Sequence, residues 1–138
     1  MAMPNSDDAR AFYRCAYLRR LEASILDKAG QPTGAVYLAG YVVELMLKAL
    51  IVEGRPSTSR ADAVAELKGM GHNLTRLTET YRREGGSRPP REVALALGLV
   101  GDAWDPAMRY NPRLVPASFA NRFLKAVDAI YSWADGRT

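Results

Sequence analysis

GAVYLAGYVVELMLKALIVEG, residues 34–54, is the longest apolar run in the chain, and its reading decides the fold. Most of these residues are good helix formers. Gly34 precedes the run and Gly54 with Pro56 ends it, so the sequence predicts one helix of about five to six turns. At about 100° per residue, one narrow stripe is not plainly apolar: Tyr37, Tyr41, Glu44 and Lys48. Val36, Leu38, Val42, Val43, Leu45, Met46, Leu47 and Leu50 fill most of the remaining circumference, and a helix apolar nearly all round belongs in an interior. Glu44 precedes Lys48 by four positions, the favourable order for an ion pair on one helix face. Two phenols and a charged pair are therefore carried into the protein or along its edge.

Working towards the N-terminus, the Gly30 to Gly34 segment with Pro32 reads as a short turn that returns the chain antiparallel. Before it, Ser6 is a plausible N-cap with Asp7 and Asp8 in the first turn, where the helix dipole favours acids. Ala11, Cys15, Leu18, Leu21, Ile25 and Ala29 then recur at steps of three and four, which predicts a helix to about Gly30 with that face in the core. Tyr13, Tyr17, Arg20 and Ser24 form the other face. Cys15 falls on the expected core side, as a buried structural thiol rather than a nucleophile.

Working towards the C-terminus, GRPSTSR reads as loop. Ser59 with Asp62 resembles a capping box for a short helix through about Lys68. Asn73 is suited to cap a further amphipathic helix bearing Leu74, Leu77 and Tyr81, with Arg82 and Arg83 at its C-terminal end. Pro89 and Pro90 open a segment in which Val93, Ala96, Leu97, Val100 and Trp104 share a face. Pro106, Pro112 and Pro116 make residues 105–116 irregular, and a last helix from about Pro116 to Ala134 aligns Phe119, Phe123, Val127 and Ile130. No strand candidate survives. The expectation is an all-α, antiparallel four-helix up-and-down bundle with one or two short helices inserted, and a single domain over residues 1–138.

At 138 residues the chain can bury a core without staples, and its single cysteine excludes an intramolecular disulfide. The polar, acidic start MAMPNSDD is unlike a signal peptide, and Glu44 with Lys48 at the heart of the central run argues against a membrane span. A cytoplasmic protein is expected. The formal charge of +4 permits nucleic-acid contact without demanding it. Arginines supply the excess, and no zinc-ligand cluster or phosphate-cradling glycine motif accompanies them.

The run Tyr37-x-x-Gly40-Tyr41-x-x-Glu44-Leu45-x-Leu47-Lys48-Ala49-Leu50 resembles the second helix of HEPN domains. Gly71-His72-Asn73-Leu74-x-x-Leu77 resembles the His-Asp/Asn-Leu element that follows it, and Arg109-Tyr110-Asn111-Pro112 resembles the Arg-Tyr turn before the last helix. The similarity spans roughly residues 11 to 134. It implies a compact helical bundle, commonly a homodimer, from a family that includes RNA-cleaving toxins, partners of minimal nucleotidyltransferases, and RNA- or nucleotide-binding members. RNase members of the family carry an arginine, about four to six residues and then a histidine beside the last helix. Here Arg109 is followed by no histidine, because the chain's one histidine is His72.

The candidate ligand-binding residues are thus Tyr37, Tyr41, Glu44, Lys48, His72, Arg109 and Tyr110, with no catalytic set, metal or cofactor expected. His72 is either a general base or phosphate ligand, or it orients its turn by bonding a backbone carbonyl; the second is favoured. Arg109 either grips a phosphate or pins its loop to Glu44 as a buried pair, again with the second favoured. Tyr37 and Tyr41 are core aromatics or a stacking shelf. Two functions follow: a non-catalytic module binding RNA, a nucleotide or a partner protein such as a nucleotidyltransferase, in a toxin–antitoxin or defence context; or a ribonuclease with a non-standard site using His72 and Arg109.

Overall fold

A computed structural model describes residues 4–137, and all regular structure within them is helical. Six helices follow in order: α1 (Asp7–Lys28), α2 (Pro32–Gly54), α3 (Arg60–Gly69), α4 (Leu74–Arg83), α5 (Arg91–Ala103) and α6 (Ala117–Asp135). Short 3-10 turns occupy Ser57–Ser59 and Pro106–Tyr110. The all-α expectation holds, with α1, α2, α5 and α6 as the long elements and α3 and α4 as the insertions. The central helix α2 packs against α1, α6 and α4. It starts two residues before the sequence boundary, because Pro32 suits a first helical turn, where no backbone donor is needed. By length and hydropathy α2 would cross a bilayer, and 78% of that apolar window is buried within the bundle.

The face of α1 is a correction. The residues it buries are Ala9, Tyr13, Ala16 and Ala23. Leu18, Leu21 and Ile25, expected in the core, are 47%, 49% and 58% exposed, and Cys15 is exposed as well. The physical reason lies in Ala9, Ala16 and Ala23, which recur every seven residues. Small side chains on one seam let two long helices approach closely, and interaxial distance follows side-chain size. The larger aliphatic residues stand on the opposite side.

Local signals settle the helix ends. Ser6 Oγ accepts from the Ala9 backbone N–H at 3.0 Å, and Asn73 Oδ1 accepts from that of Arg76 at 3.0 Å, both as expected of N-caps. The Ser59–Asp62 capping box does not form. A 3-10 turn intervenes, and Ser59 Oγ donates instead to the Pro56 carbonyl at 3.1 Å. Val93, Ala96, Leu97, Val100 and Trp104 are all buried, as are Phe123, Val127 and Ile130.

One close approach positions the site. A Cβ added at Gly40 would lie 2.0 Å from Trp104 Cε2, so the indole rests directly on the α2 backbone. Its Nε1 donates to the Tyr37 carbonyl at 3.0 Å. The chain leaving α5 is thereby fixed against the Tyr37–Lys48 stripe.

Candidate functional site

Glu44 and Lys48 are both buried, at 4% and 5% exposure. Lys48 Nζ donates to Glu44 Oε2 at 3.2 Å and to the Gly71 carbonyl at 3.3 Å. The other carboxylate oxygen, Oε1, lies 2.6 Å from His72 Nδ1. An ionised carboxylate only accepts, so Nδ1 carries the hydrogen of this bond. Gly71 makes this possible: its φ of +71° is a left-handed turn that glycine adopts without strain, and it delivers His72 onto α2. The imidazole side chain is 47% exposed. His72 thus bonds a side-chain carboxylate, where a backbone carbonyl was expected, and Lys48 takes the carbonyl.

An aromatic cluster covers this pair. The Tyr41 ring meets His72 edge-on at 5.8 Å, Trp104 at 4.9 Å and Tyr37 at 5.4 Å. The Tyr37 and Tyr41 hydroxyls are 3.2 Å apart. Burial, followed by its hydrogen bond to Tyr37, pushes the Tyr41 phenol up to about 12. Tyr37 moves the other way, held below the usual phenol value by the hydrogen bond from Tyr41 and then by the Arg109 guanidinium beside it.

Arg109 does not pair with Glu44. It is exposed on the 3-10 turn, with Nη1 donating to the Pro106 carbonyl at 3.4 Å and its guanidinium over the Tyr110 ring at 4.7 Å. Glu44 already has a donor on each oxygen and lies beneath Tyr41, so Arg109 has no approach.

Between the start of α4 and the Trp104–Tyr110 segment lies an open cleft of about 1150 Å³. His72, Asn73, Thr75, Arg76, Glu79 and Arg83 form one wall, while Trp104, Asp105, Pro106, Arg109 and Tyr110 form the other. Of the two acids, Asp105 is engaged in its own turn, with Oδ1 accepting from the Ala107 backbone N–H at 2.8 Å. Three guanidinium groups and one imidazole thus share a solvent-open space with aromatic walls. All seven residues singled out in the sequence fall in this neighbourhood. His72, Arg109 and Tyr110 line the cleft, whereas Glu44 and Lys48 lie beneath His72 and Tyr37 and Tyr41 stand at its side.

Arg76, Arg83 and Trp104 were missed as site residues. Arg76 and Arg83 are seven apart, two helical turns on one face of α4, a spacing that would have paired them. Trp104 reads as an ordinary core residue, and nothing local in the sequence reveals that it walls a cleft. Among the described residues no three His, Cys, Asp or Glu side chains gather as a metal site. Comparison with family models, curated proteins and solved structures found no match to this chain.

Proposed function

We propose that the chain is a HEPN-like module that binds RNA in the cleft between α4 and the Trp104–Tyr110 segment, without cleaving it. The observation that supports this reading is that Arg76, Arg83, Arg109 and the half-exposed His72 line one open cleft. Guanidinium groups match phosphate oxygens in bidentate fashion and keep their charge at all physiological pH values. The buried Glu44 fixes the imidazole at the cleft, where its other ring nitrogen can bond a hydroxyl such as a ribose 2′-OH. Titrating a labelled single-stranded RNA oligomer across a salt series tests the reading. Each phosphate contact on a single strand contributes about −0.7 to the slope of log K against log salt, so three arginines predict a slope of about −2. Arg83→Ala should flatten it by about 0.7. A slope that Arg83→Ala leaves unchanged would place the phosphates elsewhere.

One observation favours a second reading, ribonuclease activity: the His72–Glu44 bond at 2.6 Å. With Nδ1–H held by the carboxylate, Nε2 can take the proton of a 2′-OH as that oxygen attacks phosphorus, while Arg109 meets the developing charge. The 5′-oxygen must then leave with a proton, and the chain holds one histidine, which serves as base and not at once as acid. Binding is therefore the preferred reading. Sizing of RNA after incubation with the protein decides between them: intact RNA is expected, and products lost in His72→Ala would reverse the assignment.

Homodimerisation is the second part of the proposal, motivated by the bare aliphatic stripe of α1, Leu18, Leu21 and Ile25. Two copies laid antiparallel along this stripe, centred near Leu21, bring Leu18 of one against Ile25 of the other, and a two-fold pair is the commonest closed assembly. Sedimentation at tens of micromolar protein should give a dimer mass, and Leu18→Lys should give a monomer. A wild-type monomer at that concentration would remove this part.

A further inference from the structure

We infer that Tyr110 is a stacking platform for one unpaired base, and that this contact makes the cleft choose single strands over duplex. The inference rests on the RNA reading above and adds to it which form of RNA the site takes.

The starting observation is an aromatic ring in an unusual position. Tyr110 is 77% exposed, yet the backbone that carries it is fastened on both sides. Asp105 Oδ1 caps the 3-10 turn at 2.8 Å, and the Asn111 backbone N–H closes it onto the Met108 carbonyl at 3.0 Å. Beyond it, Asn111 Oδ1 accepts from the Arg113 backbone N–H at 3.0 Å, and the Val115 N–H donates to Thr33 Oγ1 on α2 at 2.8 Å. Met108, two residues away, packs against the core. Pro106 and Pro112 remove further backbone freedom. A ring left in water by a fastened turn is being displayed, since the same turn already buries Met108 in part.

The neighbours give the display its chemistry. The Arg109 guanidinium lies over one face of the Tyr110 ring, 4.7 Å from its centroid, so the opposite face is the one offered to a base, with a charge close behind it at the cleft edge. A nucleotide presents the complementary pair, a flat base and a phosphate. Base–aromatic stacking tolerates any base because every base has a π-face. In an A-form duplex those faces are covered by neighbouring base pairs, leaving backbone and shallow-groove edges to be read. The platform is useful only to a base outside a helix. The other tyrosines do not compete for this role in the cleft: Tyr37 and Tyr41 bond each other and pack among rings, Tyr13 and Tyr131 are buried, and Tyr17 and Tyr81 do not line it.

The test separates base from phosphate. Affinity is measured by fluorescence anisotropy for a single-stranded RNA oligomer, the same oligomer with abasic riboses, and its duplex, using wild type, Tyr110→Ala and Tyr110→Phe. Wild type should bind the base-bearing single strand about tenfold or more tighter than the abasic strand. Tyr110→Ala should remove that difference while leaving abasic binding unchanged, and Tyr110→Phe should retain it. Far-UV circular dichroism checks that the variants remain folded. If Tyr110→Ala weakens both strands equally, or neither, the platform is wrong; the RNA reading then still stands on the Arg83→Ala salt slope. If wild type binds none of the three at low salt, both readings fall.

Discussion

Gly40→Ala tests the contact on which the site is hung. Within a helix this change would by propensity alone stabilise the protein by about 1 kcal/mol. The structure predicts the opposite sign. The new Cβ would lie 2.0, 2.1 and 2.2 Å from Trp104 Cε2, Nε1 and Cδ2, distances no carbon contact sustains, and the obstacle is a rigid indole at 5% exposure. Overpacking of this kind costs about 1–3 kcal/mol. Moving the ring also breaks the Nε1–Tyr37 carbonyl bond of 3.0 Å, and a buried donor left unpaired costs about 1–3 kcal/mol more. Subtracting the propensity gain leaves a net loss of about 3 kcal/mol. Urea denaturation followed by far-UV circular dichroism reads it directly. Trp104→Leu in the Gly40→Ala background should recover part of the loss, because the smaller side chain yields to the methyl. RNA binding should fall in both variants, since Trp104 walls the cleft. A Gly40→Ala protein as stable as wild type, or more so, would refute the placement of Trp104 and with it the cleft.

Other perturbations have equally direct outcomes. Leu47→Ala, at a position 1% exposed, should cost about 2–5 kcal/mol in chemical denaturation through lost burial and a residual cavity. Glu44→Ala strands the buried Lys48 and should cost about 3–5 kcal/mol; adding Lys48→Met should return part of it, and a double variant no better than the single would show the pair is not the cause. Arg109→Ala should leave the thermal midpoint within about 2 °C of wild type while weakening RNA binding; a large drop in midpoint would restore the buried-pair expectation. Raising pH should destabilise the fold. Tyr41 holds its proton to about 12 against an ordinary 10.0, and Tyr13 is raised too, mainly by burial. Above about pH 10 the unfolded chain therefore releases protons the native state keeps, and stability falls through about pH 12. The Tyr41 contribution is partly offset by the lowered Tyr37. A denaturant midpoint flat from pH 9 to 11.5 would contradict these environments.

The helical class and most boundaries were legible because they depend on local chemistry. Ser6 and Asn73 cap as read, Gly30 turns with a φ of +77°, and the apolar run of α2 could only be a core helix. The face of α1 was not legible in the same way. Its aliphatic period of three and four is real, but a periodicity shows that a face is apolar and not what covers it. Within the chain, α2 is itself apolar on nearly all sides and accepts the alanine seam, where backbones come closest. The aliphatic stripe is left to solvent or to a second copy. Seven-residue spacing of Ala9, Ala16 and Ala23 was the available signal, and it is weak because alanine suits exposed and buried helix positions alike.

For the site, the sequence singled out residues that lie in one neighbourhood, and mispaired them. Glu44 and Arg109 looked like partners because a buried carboxylate needs a cation and Arg109 was the one that a braced loop would hold still. What decides the pairing is the geometry of two short turns that no periodicity describes. At Gly71 a left-handed residue swings His72 onto Oε1 of Glu44, 2.6 Å away, while Lys48 one helical turn along α2 takes Oε2. At Pro106–Tyr110 the chain adopts a 3-10 turn, in which residues three apart eclipse. Arg109 therefore reaches back to the Pro106 carbonyl at 3.4 Å, with its guanidinium over Tyr110 rather than in towards Glu44. A carboxylate satisfied from within its own helix and from α4's turn needs nothing from the loop. That is what leaves the Arg109 guanidinium at the open cleft, over Tyr110.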